Sequence, residues 1–178
     1  MKKIIIAILS CILLVGCGDM KAKNAVSDYL NQYKNLSDEV LADLDKVINE
    51  EDFNEAEKEK YRDIMKKQYQ DMQYEIVEEK YNGDAAVITA KITVYDFYKV
   101  EKEANLYMKD NIEEFFDTRD IYSNEKYIDY KLDKMNETIE RITYTIDFNV
   151  KKKESKWIVE QPTTMDLEKI HGIYNYES

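Results

Sequence analysis

Two long stretches of strict two-residue alternation do most to limit what this chain can fold into. The first follows Asn82-Gly83-Asp84 and has an apolar face formed by Ala86, Ile88, Ala90, Ile92 and Val94. The second runs from Thr138 to Val150, with an apolar face formed by Ile142, Tyr144, Ile146, Phe148 and Val150. Successive strand residues point to opposite faces, so both patterns predict antiparallel strands with one face on a core and the other wetter.

Each of these strands has a predicted partner across a tight turn. Residues 73–81 are predicted to form a strand, and Asn82-Gly83-Asp84 is a strong hairpin signal between it and the first alternating stretch. Lys152 to Ser155 is predicted to turn the second stretch back into the strand Lys156-Trp157-Ile158-Val159. The chain is therefore expected to contain two hairpins, and Pro162 ends the sheet.

The remaining segments carry apolar residues at helical spacing. A first helix is predicted from Met20 to Leu36, and Ser37 is a plausible N-cap for a second. Asn54 with Glu57 resembles a capping box that opens a third helix, whose stripe includes Gln68. Further helical spacing follows over residues 100–117, after Ser123, and after a cap within residues 163–166.

The order of these elements indicates an α+β domain, with helices packed on a curved antiparallel sheet. The Asn82-Gly83-Asp84 hairpin and the closing Lys156-Trp157-Ile158-Val159 strand resemble the nuclear transport factor 2-like (cystatin-like) cone over roughly Lys21 to Pro162. The helical material at 37–72 and 100–135 departs from the compact version of that domain. Members of this family bind small molecules, catalyse or dimerise, so the fold alone implies no single function.

The N-terminus carries an export signal. Met1-Lys2-Lys3 is a short cationic head, and the apolar run Ile4 to Val15 is too short for a comfortable membrane span. Leu14-Val15-Gly16-Cys17 closely resembles the bacterial lipoprotein lipobox, and the resemblance implies a diacylglycerol on Cys17 and cleavage after Gly16. An ordinary signal peptide that happens to contain a cysteine, or an uncleaved N-terminal helix, is the alternative.

The resemblance implies a signal peptide over residues 1–16, a lipidated tether over 17–22 and one α+β domain over 23–178. The protein is then held on a cell membrane by its lipid and faces the outside of the cytoplasm. Cys11 and Cys17 are the only cysteines, so the exported domain has no disulfide and no thiol ligand.

The net charge of the chain limits which binding partners can be expected. Removal of Lys2 and Lys3 with the signal changes the net charge from −11 to −13. Nucleic acid and anionic lipid head groups are therefore not expected as binding surfaces, and solubility is the simpler meaning of the charge.

The sequence lacks most of the residue patterns that are typical of catalytic sites. His171 is the sole histidine and is expected near solvent in a short C-terminal segment. Asp96, Glu101 and Asp147 could face a cavity, although the register of Asp147 favours solvent exposure. The sequence contains no phosphate-binding glycine loop, zinc pattern or calcium loop, so no catalytic residue, metal or cofactor is predicted.

Tyrosine is the enriched residue type, and it suits either a wet binding cleft or plain core filling. Those expected on or near apolar faces are Tyr29, Tyr33, Tyr61, Tyr69, Tyr95, Tyr98, Tyr107, Tyr127, Tyr130 and Tyr144. Trp157 is expected in the core. The leading hypothesis is a non-catalytic binding or accessory module for a small ligand, peptide or envelope protein. An enzyme with a carboxylate–tyrosine site and an interaction protein without a pocket are the alternatives.

Overall fold

A computed structural model describes residues 21–177 of the chain. The predicted signal peptide and the lipid-attachment residue Cys17 lie outside the described residues. The helices are α1 (Ala22–Lys34), α2 (Asp38–Glu50), α3 (Glu55–Gln70), α4 (Phe97–Asp110), α5 (Asn124–Glu137) and α6 (Thr164–His171). The strands are β1 (Gln73–Asn82), β2 (Ala85–Tyr95), β3 (Arg141–Lys153) and β4 (Lys156–Val159).

The four strands form one antiparallel sheet in the order β1-β2-β3-β4, which confirms the α+β class and both predicted hairpins. The sheet does not close on itself. The long central pair β2–β3 runs from Ala85 opposite Lys151 to Tyr95 opposite Arg141. Helix α4, a short 3₁₀ turn at Ile112–Phe115 and helix α5 are inserted between these two strands.

Both hairpin turns depend on residues with positive φ. Gly83 has a φ of 61°, and Glu154 and Ser155 have φ values of 49° and 69°. A two-residue turn with two left-handed residues matches the right-handed twist of the flanking strands, although Asn-Gly is the usual sequence for it. Because that signature is absent, the sequence predicts a four-residue turn from Lys152 to Ser155. In the structure β3 continues to Lys153, and the turn is only two residues long.

The core lies between the helical layer and the apolar face of the sheet. The apolar residues predicted for β2 are all buried, as are Tyr144, Ile146, Phe148 and Val150 of β3. Helix α1 crosses this face and contacts all four strands, and α3 packs against α1, α2, α5 and α6.

The predicted helix starts are confirmed by their caps. The Ser37 hydroxyl accepts a hydrogen bond from the Val40 backbone N–H, and Asn54 forms the predicted capping box with Glu57. A second capping box joins Thr163 to Asp166 at the start of α6.

Some boundaries differ from the sequence prediction. The predicted 100–117 helix is instead α4 plus a 3₁₀ turn, because Asp96 caps α4 at Lys99 and the helix ends at Asp110. Strand β3 begins at Arg141 because Thr138 is the C-cap of α5. Helix α1 ends at Lys34, two residues before the predicted end at Leu36.

A buried polar junction connects α3 with the end of β2 and the end of α6. The side-chain amide of Gln68 accepts a hydrogen bond from the Tyr95 backbone N–H (2.8 Å) and donates to the carbonyl oxygens of Tyr95 (3.1 Å) and His171 (2.9 Å). Gln68 is fully buried, so these bonds satisfy groups that cannot reach water. The junction fixes the end of β2 and the end of α6 against α3.

Candidate functional site

A cleft lies between α2, α3 and α6, and Tyr33 of α1 contributes to its wall. Its apolar wall consists of Val40, Leu44, Val47, Met65 and Leu167. Its polar and aromatic groups are Tyr33, Asp43, Tyr61, Tyr69 and His171. A mostly apolar lining with a few convergent polar groups is typical of a binding site.

The cleft is narrow. Its cavity volume is about 30 Å³, and its empty space reaches about 450 Å³ only when the open solvent at its mouth is included. The smaller value is room for one or two water molecules, whereas pockets for drug-sized ligands measure roughly 300–1,000 Å³. The cleft in this conformation therefore suits a small polar group or one inserted side chain.

A row of aromatic groups forms one wall of the cleft. The ring centroids of Tyr33 and Tyr69 are 5.2 Å apart in an edge-on arrangement. The Tyr69 hydroxyl lies 3.3 Å from Nε2 of His171, and the Tyr33 hydroxyl lies 3.1 Å from that of Tyr29. Helical spacing placed Tyr33 and Tyr69 on apolar faces correctly, but only the packing of α1, α3 and α6 brings them beside His171.

Asp43 supplies the carboxylate of the cleft. One carboxylate oxygen accepts a hydrogen bond from Lys46 Nζ at 2.7 Å, and the other is buried without a hydrogen-bond partner. Sequence reasoning did not single out Asp43, because it is one of many acidic residues on helix surfaces. Its only distinguishing feature is its position one turn from Val40 and Val47, which face the same cleft.

His171 lies in a different environment from the one expected. The residue is only partly exposed, and its ring centroid lies 5.6 Å from that of Tyr69 and 6.5 Å from that of Tyr33. Loss of hydration lowers the pKa of His171 from 6.5 to about 4. Burial likewise raises the pKa values of Tyr61 and Tyr69, so these three groups are uncharged at neutral pH.

The depressed histidine pKa predicts a pH-dependent stability. The unfolded chain gains a proton on His171 near pH 6.5, but the folded protein does so only near pH 4. The free energy of unfolding therefore has its full value above pH 6.5. It decreases as the pH falls towards 4, by about 2 kcal/mol for a partly exposed group. We expect the single imidazole NMR signal to titrate near pH 4, and urea unfolding of His171→Asn to lose this part of the pH dependence. Titration near pH 6.5 would contradict the prediction.

The carboxylates singled out in the sequence do not line this cleft. Buried Asp96 caps α4 through Lys99 and accepts a hydrogen bond from the Tyr176 hydroxyl at 3.0 Å. Asp147 is exposed, as its register indicated, and accepts a bond from Thr89 at 2.6 Å. Glu101 is exposed and lies 3.9 Å from Lys131. These contacts are structural, and the structure does not bring the three residues together.

The other tyrosines divide between the core and the inserted helices. Tyr29, Tyr95 and Tyr144 are buried in the core. Rings of Tyr107, Tyr127 and Tyr130 surround Phe115 at centroid distances of 5.6 to 6.4 Å. Core filling accounts for Tyr29, Tyr95 and Tyr144, whereas Tyr107 is exposed and Tyr33, Tyr61 and Tyr69 line the cleft.

Neither a metal cluster nor a membrane-spanning helix is found in the described part of the chain. Residues 21–177 contain no group of three or more His, Cys, Asp or Glu side chains arranged to hold a metal ion. None of the helices in this range is long and apolar enough to cross a membrane.

Comparison with known proteins adds no identification to this geometry. No family model, curated protein or solved structure matches the chain.

Proposed function

We propose that this protein is a lipid-anchored, extracytoplasmic binding module that is not an enzyme. Cys17 carries the lipid, the signal peptide of residues 1–16 is removed, and the domain is displayed outside the cytoplasmic membrane. Support for the anchor comes from the lipobox and from the brevity of the apolar run. The α+β architecture, with helices on a four-stranded antiparallel sheet, supports the resemblance to the cystatin-like cone.

The single observation that carries the binding role is the cleft between α2, α3 and α6. Its apolar wall and tyrosine rings offer surface to an apolar group, and Asp43 offers a carboxylate oxygen without a hydrogen-bond partner. The ligand that fits best is a peptide side chain or the small polar end of a larger molecule.

Catalysis is not favoured by the same geometry. Acid–base chemistry at a carboxylate–tyrosine site needs the two groups within hydrogen-bond reach. Asp43 bonds only to Lys46 among the described residues, and the tyrosine nearest His171 pairs with its imidazole.

Native mass spectrometry of the protein purified gently from its own envelope tests the binding role. We expect a discrete stoichiometric adduct on the wild-type protein and its loss in Val47→Trp, whose indole would fill the cleft. Val77→Trp is the matched control, because Val77 is exposed on β1 and does not line the cleft. A bare wild-type protein, or an adduct that both variants retain, would contradict binding in the cleft.

A second candidate is an interaction protein that uses a surface and not a pocket. One observation favours it: a group of exposed apolar side chains at the tip of the inserted helices, namely Leu106, Tyr107, Ile112, Ile121 and Tyr122. Clustered apolar exposure is a feature of protein interfaces. A bare protein in the mass spectrum would make this candidate the leading one.

A further inference from the structure

Both hairpin turns and the start of α1 lie at the same end of the sheet, here called the hairpin end. Ala85, which follows the first turn, pairs with Lys151, and the Lys152 backbone N–H donates to the Asp84 carbonyl at 2.7 Å. Lys23 of α1 forms an ion pair with Glu79 at 2.9 Å, near the end of β1. The chain therefore enters the domain beside the two turns.

Net charge alone predicts no binding to anionic lipid head groups, but charge is distributed unevenly over the molecule, and the hairpin end is locally basic. Although the chain has a net charge of −11, this end carries seven lysines and six carboxylates, a balance of +1. The lysines are Lys21, Lys23, Lys80, Lys151, Lys152, Lys153 and Lys156. The carboxylates are Glu78, Glu79, Asp84, Asp147, Glu154 and Glu160, of which Asp147 pairs in register with Thr89, the partner of Glu78.

The unpaired charges at this end are mainly positive. Glu78, Glu79 and Glu160 are neutralised by ion pairs with Lys80, Lys23 and Lys151. Among the described residues, Lys152, Lys153 and Lys156 form no ion pair, and all three are exposed. Hydrogen bonds from Lys23 and Tyr81 lower the pKa of Glu79, and Lys21 is the N-cap residue of α1 at the same end.

Two aromatic residues lie among these lysines. The ring centroids of Tyr81 and Trp157 are 5.8 Å apart in an edge-on arrangement, and Tyr81 is 48% exposed. Trp157 is partly buried against the core and pairs in register with Lys152. Tyrosine and tryptophan with lysine at their side is the combination that favours a membrane–water interface.

The position of the lipid fixes which surface this end would meet. The inference rests on the proposed lipid at Cys17, which is four residues before Lys21 and so within about 15 Å of it even when extended. A domain tethered this closely cannot turn its hairpin end far from the bilayer. Anionic head groups attract nearby lysines over about a Debye length, roughly 8 Å at physiological salt.

We propose that the hairpin end docks on the anionic lipid head groups of the membrane that holds the chain. Lys152, Lys153 and Lys156 contact the phosphodiester groups, and Tyr81 with Trp157 sits at the level of the interface. The domain is thereby held in one orientation, and the inserted helices α4 and α5 point away from the bilayer.

Trp157 is the only tryptophan, so its fluorescence reports the docked state directly. The lipidated protein is reconstituted in phosphatidylcholine vesicles with and without phosphatidylglycerol, and quenching by acrylamide is measured. We expect Trp157 to be shielded on the anionic vesicles alone. The shielding should disappear in about 1 M NaCl, where the Debye length is about 3 Å.

Charge reversal supplies the matched variants. Changing Lys152, Lys153 and Lys156 to Glu lowers the ratio of docked to undocked domain by about 100-fold or more, at roughly fivefold for each lysine lost. The control reverses three exposed lysines of α4 and α5, with the same change in net charge: Lys102, Lys109 and Lys134. The first variant should lose the shielding, and the control should keep it.

Flotation of the same vesicles separates this inference from the anchor. Protein that floats but shows equal quenching on both lipids, or equal loss of shielding in both variants, overturns the docking and leaves the anchor in place. Wild-type protein that does not float with phosphatidylcholine vesicles refutes the anchor, and the docking with it.

Discussion

Replacing Gly172 with alanine is expected to destabilise the fold by about 4 kcal/mol or more. Gly172 follows the last residue of α6 with a φ of 75°, a left-handed conformation that costs a non-glycine residue about 1–2 kcal/mol. A Cβ there would lie 2.2 Å from the Tyr95 carbonyl oxygen and 2.5 Å from Nε2 of Gln68. The added methyl would therefore break the buried junction that joins α3, α6 and the end of β2.

Urea unfolding followed by circular dichroism measures this effect, and Gly83→Ala is the matched control. Gly83 also has a positive φ, of 61°, but no atom lies within 4 Å of the place that a Cβ would occupy there. We expect this variant to lose only about 1 kcal/mol, the conformational cost alone. If both variants lose the same amount, the close approach of α6 to Gln68 and Tyr95 is not what makes Gly172 necessary.

Replacing Cys17 with alanine is expected to abolish lipid attachment altogether. The thiol of Cys17 is the atom that the lipobox resemblance assigns to the diacylglycerol, and no other residue of Leu14-Val15-Gly16-Cys17 can form a thioether. Labelled fatty acid should be incorporated into the wild-type protein and not into Cys17→Ala. The variant should also keep its signal peptide, which a mass shift reveals.

Cys11→Ala is the control for this experiment, because Cys11 is the only other cysteine. It lies inside the apolar run and should be replaceable without loss of labelling or processing. Incorporation of fatty acid into Cys17→Ala would refute the anchor and the localisation that depends on it. Loss of labelling in both variants would show that the apolar run also needs Cys11 for the modification.

Local sequence signals predicted the elements well where the signal acts within a few residues. The alternation in β2 and the caps at Ser37, Asn54 and Thr163 depend on side-chain direction and on nearby backbone N–H groups. The turn at Glu154-Ser155 was placed too broadly, because its two left-handed residues lack the asparagine or glycine that usually marks them. The break of the predicted 100–117 helix at Asp110 had no strong local marker either.

The candidate site was only partly visible in the sequence. Tyr33 and Tyr69 were identified as residues of apolar helix faces, but Asp43 was not distinguished from other acidic residues. His171 was expected near solvent, because nothing in a short C-terminal helix shows that its ring will pack against two tyrosines. A site assembled from four helices depends on contacts between residues as far as 102 positions apart, such as Tyr69 with His171.

The α+β class, the two hairpins and the helix starts after Ser37, Asn54 and Thr163 follow from the order of the residues, because periodicity and capping are local properties. The cleft beside His171, the crowding at Gly172 and the basic hairpin end in a chain of strongly negative net charge arise only when distant segments pack together. Net charge is a sum over the sequence and does not show where on the surface the charges lie. Only folding, which brings two turns and the start of α1 to one end, gives the charges a location.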